Sequence, residues 1–83
     1  MSHFFYLARC HDGSLYSGWT TNLVARERAH NSGKGAKYTA GRRPVTIIYS
    51  EEFKTRSEAL RREAAVKKLS RTQKLKLTQV KNC

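Results

Sequence analysis

The 83-residue sequence predicts an α+β fold: one domain over residues 1–83, a small three-stranded antiparallel sheet flanked by helices, in the order β-β-α-β-α-α. Three observations predict it. Two short strand-like runs flank the turn signal His11-Asp12-Gly13, which is a hairpin pattern. A β-branched run, VTIIYS, follows Pro44. Two capping boxes, Thr55-x-x-Glu58 and Ser70-x-x-Gln73, open the last two helices, each reciprocally satisfying backbone amides that a helix start leaves unpaired.

The elements follow in order. Phe4 to Cys10 is aromatic and apolar, and Ser14 to Gly18 is short and strand-compatible. Thr20-Thr21-Asn22 supplies N-cap candidates for a helix over LVARERAH, which Asn31-Ser32-Gly33 ends. Gly33 to Gly41 holds three glycines with Lys34 and Lys37, and no regular structure is expected there. In the helix after Thr55, the i, i+3, i+4, i+7 rule puts Ala59, Leu60 and Val66 on one apolar face. Glu63 falls among them. A carboxylate facing inward must be paired, protonated or bound to a cation, since burying it uncompensated costs several kcal/mol. The alternative is a solvated face where Glu63 pairs with Arg62 or Lys67.

Composition restricts function. A chain this small buries roughly 60–65% of the surface its unfolded form exposes, which argues against a large enclosed site. Seventeen Lys and Arg against six Asp and Glu give a net charge of +11, and only Arg9 precedes Arg26 among the basic residues. That balance points to a polyanion, with nucleic acid first. No run approaches the ~18 apolar residues of a membrane span, and MSHFFYLARC lacks the marks of a signal peptide, so the expected location is the cytoplasm with no membrane partner. Cys10 and Cys83 form neither a zinc spacing nor a disulfide framework.

Candidate chemistry gathers in LYSGWTTNLVARERAH. Tyr16 stands two residues before Gly18, and Arg26 and His30, four apart, share a helix face. Tyr6 belongs to the neighbouring strand. Each has a plain structural alternative: the tyrosines as strand aromatics, Arg26 as a surface charge, and His30 as a cation at a helix C-terminus. In the loop, Lys34, Lys37, Arg42 and Arg43 surround the glycines, and Tyr38 among them offers a stacking platform for a base. Trp19 reads as a packing anchor.

These residues resemble the GIY-YIG nuclease family in its small single-domain bacterial form. The resemblance rests on Phe4-Phe5-Tyr6, Tyr16-Ser17-Gly18, Arg26, His30, the stretch HNSGKGAKYTAGRRPV and Glu63, and it covers about Phe4 to Arg71. Phe4, Phe5 and Ser17 depart from the family's name, and the asparagine that several members place after the glutamate helix has only Asn82 as its counterpart here. The resemblance implies a GIY-YIG-like fold and an endonuclease that uses a divalent cation, Mg2+ or Mn2+, to hydrolyse DNA phosphodiesters in repair, recombination or processing of single-stranded or branched intermediates. It implies catalytic roles for Tyr6, Tyr16, Arg26, His30 and Glu63. Glu63 would be the metal ligand, Arg26 the phosphate partner and Tyr16 the group that orients or deprotonates the attacking water. His30 is the competing base, because imidazole titrates near neutrality. The second reading is a catalytically silent nucleic-acid-binding module, RNA-associated in one form. Either reading is compatible with a protein partner.

Overall fold

In the computed structural model, the described residues are 2–80, so Asn82 and Cys83 lie outside them. The elements are β1 (His3–Arg9), β2 (Leu15–Thr20), α1 (Leu23–Asn31), α2 (Lys37–Ala40), β3 (Thr46–Phe53), α3 (Arg56–Lys67) and α4 (Arg71–Val80). The strands form one antiparallel sheet in the order β2-β1-β3. This is the α+β class the sequence predicts, with one added helical turn.

The local signals act where the sequence puts them. Gly13 takes φ 86 at the hairpin turn, where Asp12 Oδ1 accepts the Ser14 amide at 3.0 Å. Asn22 caps α1 by accepting the Ala25 amide at 3.0 Å, and Gly33 ends it with φ 85. That left-handed position lets the Lys34 amide return to the Ala29 carbonyl at 3.0 Å and closes the helix C-terminus. Both capping boxes form, with the Thr55 amide on Glu58 at 3.2 Å and the Ser70 amide on Gln73 at 2.9 Å.

β1 is central, so its side chains are buried on both faces, Phe5 to Ala8 without interruption. Tyr6, Ala8, Cys10 and Val45 pack on one face with Tyr16, Leu23 and Ile47. Phe5, Leu7 and Val66 pack on the other with Ile48, Tyr49, Phe53, Leu69 and Leu77. Thus α1 covers one face of the sheet, and α3 and α4 cover the other. A bulge between Leu7 and Ala8 leaves Ile48 unpaired opposite β1 and sets Ile48 and Tyr49 on the same face. Each fully buried Leu, Val or Phe contributes about 1.5–3 kcal/mol by leaving water.

Three expectations need correction. The Gly33–Gly41 loop contains a helical turn, α2, because Thr39 is fully buried and the Arg42 amide closes on its carbonyl at 3.0 Å. β3 runs on to Phe53, past the end of VTIIYS, because Glu51 is accommodated: Arg62 grips it at 2.8 and 3.1 Å and the Tyr49 hydroxyl donates to it at 2.5 Å. Burial alone would lift the Glu51 carboxyl, but those hydrogen bonds and the Arg62 charge outweigh it and hold it below the usual value. Finally, Leu60 is 36% exposed and does not join the core. The buried stripe of α3 is only Ala59 and Val66 wide, bordered by Arg62 toward β3 on one side and Glu63 on the other. Among the described residues, no helix is long and apolar enough to cross a membrane.

Candidate active site

β1 and β2 place Tyr6 opposite Gly18 and Ala8 opposite Tyr16. Tyr6 and Tyr16 therefore project from the same sheet face, toward α1. Arg26 and His30 lie four apart on α1, facing that pair. The Tyr6 hydroxyl meets His30 Nε2 at 2.7 Å, and Arg26 Nε donates to the same hydroxyl at 3.3 Å. The Tyr16 ring packs against His30 at 5.2 Å and Tyr6 at 6.3 Å between centroids. Four of the five residues expected to be catalytic thus form one cluster.

Gly18 makes the cluster geometrically possible. A Cβ there would stand 2.6 Å from the Tyr6 hydroxyl oxygen and 2.7 Å from its ring, and Tyr6 is fully buried with no room to retreat. Overpacking of that kind costs about 1–3 kcal/mol. Gly35 is required in the same way, since its Cβ would lie 2.7 Å from the His30 Cα.

The segment from Gly35 to Thr39 closes over the cluster. Arg26 donates through Nη2 to the Gly35 carbonyl at 3.0 Å. Tyr38 stacks on Tyr16 at 5.9 Å, and the Arg42 guanidinium lies 4.2 Å from the Tyr38 ring centre. Thr39 Oγ1 contacts His30 Nδ1 at 2.8 Å and donates to the Ala36 carbonyl at 3.1 Å. Sequence reasoning missed Gly35 and Thr39. The only available signal was a second glycine two residues after Gly33, which says that backbone comes close to something without saying to what.

Electrostatics follow from burial and from Arg26. His30 is fully buried, and burial together with the Arg26 charge holds it below the ordinary imidazole value, so it is neutral near pH 7. Burial pushes the Tyr6 phenol up, partly offset by the Arg26 hydrogen bond and charge. In return, the hydrogen bond with Tyr6 raises the Arg26 guanidinium further above its normal value. The cluster at rest is a neutral imidazole, a protonated Tyr6 phenol and a fixed cation.

Glu63 approaches from α3. Its carboxylate is felt by Tyr6 as a charge. It pairs with Lys67 at 2.9 Å, and its side chain is 14% exposed against 55% for Lys67. The inward reading and the surface-pair reading are both realised: the acid is largely buried, and its partner is an exposed ammonium on the next turn. Hydrogen bonding to Glu63 raises the Lys67 pKa. Arg62, the other partner considered, is committed to Glu51.

The loop cations divide in two. Arg42 pairs with Asp12 at 3.0 Å and donates to the Tyr38 carbonyl at 2.6 Å. Arg43 donates to the Ala40 carbonyl at 2.9 Å and the Asn31 carbonyl at 3.4 Å. Both help hold the α2 turn in place. Lys34 and Lys37 are exposed. Trp19 is half-buried, with His3 at 6.1 Å and Arg56 over its ring at 5.5 Å, as a packing anchor would be.

Comparison with known proteins places the domain as a whole. The GIY-YIG catalytic domain matches residues 2–76. The UPF0213 protein SH2523 of Staphylococcus haemolyticus is 56% identical over 75 residues, covering 90% of this chain and 92% of that one. The UPF0213 protein SERP0126 of Staphylococcus epidermidis is 53% identical over 77 residues, covering 93% and 94%. Among solved structures, the solution structure of the UPF0213 protein BH0048 from Bacillus halodurans superposes with a TM-score of 0.62 at 46% identity, covering 98% of this chain and 86% of that one. The solution structure of EF2693 from E. faecalis gives 0.64 at 49% identity, covering 100% and 90%.

Proposed function

Since this chain belongs to the GIY-YIG family, a class of nuclease domains that generally use divalent metal ions, we propose that it is a metal-dependent endonuclease that hydrolyses DNA phosphodiester bonds. The observation that carries the reading is the convergence of Tyr6, Tyr16, Arg26 and His30 in one cluster with a largely buried carboxylate beside it. A module that only binds nucleic acid has no use for an acid facing phosphate.

The residues fit a magnesium- or manganese-like ion. No group of three or more His, Cys, Asp or Glu side chains gathers among the described residues, and the acid at the cluster is Glu63. A hard cation that retains its waters and takes oxygens from the substrate needs only one or two carboxylates. Glu63 is now balanced by an ammonium that is 55% exposed and able to swing into water, leaving the carboxylate to another cation. Bound there, the ion would polarise the scissile phosphate and offset charge on the leaving oxygen.

The protein's own groups supply the rest. Arg26 offers its fork to the phosphate and offsets the charge that grows as water attacks. Tyr16, half-buried, orients the water. His30 has both ring nitrogens engaged below the surface, so it acts on the reaction through the Tyr6 phenol and not on water directly. Lys34 and Lys37 hold the strand, while Tyr38, Arg42 and Arg43 shape the wall beside it.

The test is incubation with labelled single-stranded, duplex, flap and four-way DNA in magnesium or manganese, with chelator as control. Cutting that chelator abolishes is expected; persistent absence of cutting on every substrate would favour the silent binding module. Binding carries its own prediction. Each phosphate neutralised contributes about −0.7 to −0.9 to the slope of log K against log salt. Lys34→Ala with Lys37→Ala should flatten that slope by roughly 1.5 with stability unchanged. Adding Arg42→Ala and Arg43→Ala should also lower the unfolding midpoint, because their carbonyl partners lose a donor. An unchanged slope would remove this loop from the binding face.

A further inference from the structure

Thr39 has no role in the function proposed above, yet its fully buried hydroxyl is the last link of a directed hydrogen-bond chain. A threonine hydroxyl carries one proton. It is given to the Ala36 carbonyl at 3.1 Å, the carbonyl being able only to accept. Toward His30 the oxygen must therefore accept, which requires a proton on His30 Nδ1, 2.8 Å away. In a neutral imidazole the other nitrogen is then bare. Nε2 accepts the Tyr6 proton at 2.7 Å, and the Tyr6 oxygen remains open to Arg26 Nε at 3.3 Å. Reversing one link reverses the rest. With the proton on Nε2, Tyr6 would have to accept from His30 as well as from Arg26, and its own proton would lose its partner.

We propose that Thr39 is a positioning residue that locks His30 in the Nδ1–H tautomer and so keeps Nε2 the acceptor of the Tyr6 hydroxyl hydrogen bond. The α2 turn exists to deliver that hydroxyl. It is reached through Gly35, where backbone passes against His30 closely enough to exclude a side chain, and it is anchored by Arg26 on the Gly35 carbonyl. The charged and titratable groups facing His30 are Tyr6 from β1, Tyr16 from β2 and Arg26 on its own helix; Thr39 faces it from α2 and does not titrate. None of these except Thr39 can set the tautomer from the Nδ1 side. The tautomer assignment stands on hydrogen-bond geometry and on the neutral state that burial and Arg26 impose on His30, and the catalytic consequence rests on the nuclease reading.

The experiment uses the full chain with His3→Gln and His11→Gln, so that His30 is the one histidine left of three, labelled with 15N in its ring. At about pH 7.5, above the ordinary imidazole value of about 6.5, the parent is expected to show a protonated Nδ1 and a bare Nε2. A protonated Nε2 in this parent overturns the proposal without any further variant. Thr39→Val, which keeps the shape and removes the hydroxyl, should shift the ring nitrogens toward the other tautomer or a mixture, and Thr39→Ser should restore the parent pattern. A Thr39→Val spectrum unchanged from the parent, or a Thr39→Ser spectrum matching Thr39→Val, also overturns it. Where cleavage is measurable, Thr39→Val should cut about 10- to 100-fold more slowly, the usual loss when a group orienting a functional histidine is removed, with nucleic-acid affinity unchanged. Full-speed cutting by Thr39→Val would end the catalytic consequence. If no substrate is cut by the parent, the ring-nitrogen spectra still decide the tautomer.

Discussion

Glu63→Gln should reduce cleavage by about two to three orders of magnitude, the scale seen when a preorganised charge at a reacting phosphate or oxyanion is removed, while the domain stays folded. Glutamine keeps the shape of the side chain and loses the negative charge that a divalent cation needs. The fold tolerates the change because Glu63 lies on the border of the buried stripe, and its protein partner, Lys67, is an exposed ammonium that returns to water. Binding of nucleic acid without metal should hold or tighten, since one negative charge has left the site. The matched control is Glu58→Gln. That carboxylate sits on the exposed start of α3, receiving the Thr55 amide at 3.2 Å, and its loss should cost at most about 1 kcal/mol of stability with cutting intact. Single-turnover cleavage and urea unfolding of both variants measure the contrast. Equal cutting by Glu63→Gln and the parent would mean that another group holds the cation.

Arg26→Ala should also lose about 10²- to 10³-fold in cleavage, but with a different accompanying signature. The guanidinium is shared between the site and the fold: Nε serves the Tyr6 oxygen and Nη2 serves the Gly35 carbonyl. Removing it leaves both acceptors short of a donor in a partly buried setting, which should cost about 1–3 kcal/mol of stability. Glu63→Gln should show no such cost, so the pair of variants separates lost phosphate stabilisation from lost metal affinity. Arg26→Lys keeps the charge, yet an ammonium cannot span two acceptors in the fixed geometry of the fork, and it should recover little of either loss. Full stability of Arg26→Ala in urea would show that the Gly35 contact contributes nothing to holding the α2 turn.

Much of the fold is legible in the sequence because its signals act over short distances. The caps of α1, α3 and α4 bond groups three residues apart, such as the Asn22 side chain with the Ala25 amide and Thr55 with Glu58. The turn glycines 13 and 33 answer to their own backbone angles. The β1–β2 hairpin follows from its turn signal, whereas the central place of β1 in the sheet has no local signal in the sequence. The residues Tyr6, Tyr16, Arg26, His30 and Glu63 were legible as a set only because their order and spacing resemble a family pattern. Periodicity alone placed Glu63 near an apolar face, and it placed Leu60 there wrongly.

What the sequence by itself determined is the α+β class, the positions of the caps and turns, the basic character of the chain and, through the family resemblance, the candidate residues for the site. The tertiary structure alone decided who meets whom. The Tyr6–His30 bond joins residues 24 apart, Arg26–Tyr6 joins residues 20 apart, and Arg62–Glu51 joins residues 11 apart. None of these pairings has a periodic signature, since each depends on how helices seat on a twisted sheet. The same cause turned Arg42 and Arg43 from free cations into braces for α2, gave Arg62 to Glu51 and left Glu63 with Lys67. It also made Thr39, an unremarked threonine in a glycine-rich loop, the residue that decides where the proton sits on His30, because a buried hydroxyl with one proton and a committed acceptor has only one way left to bond.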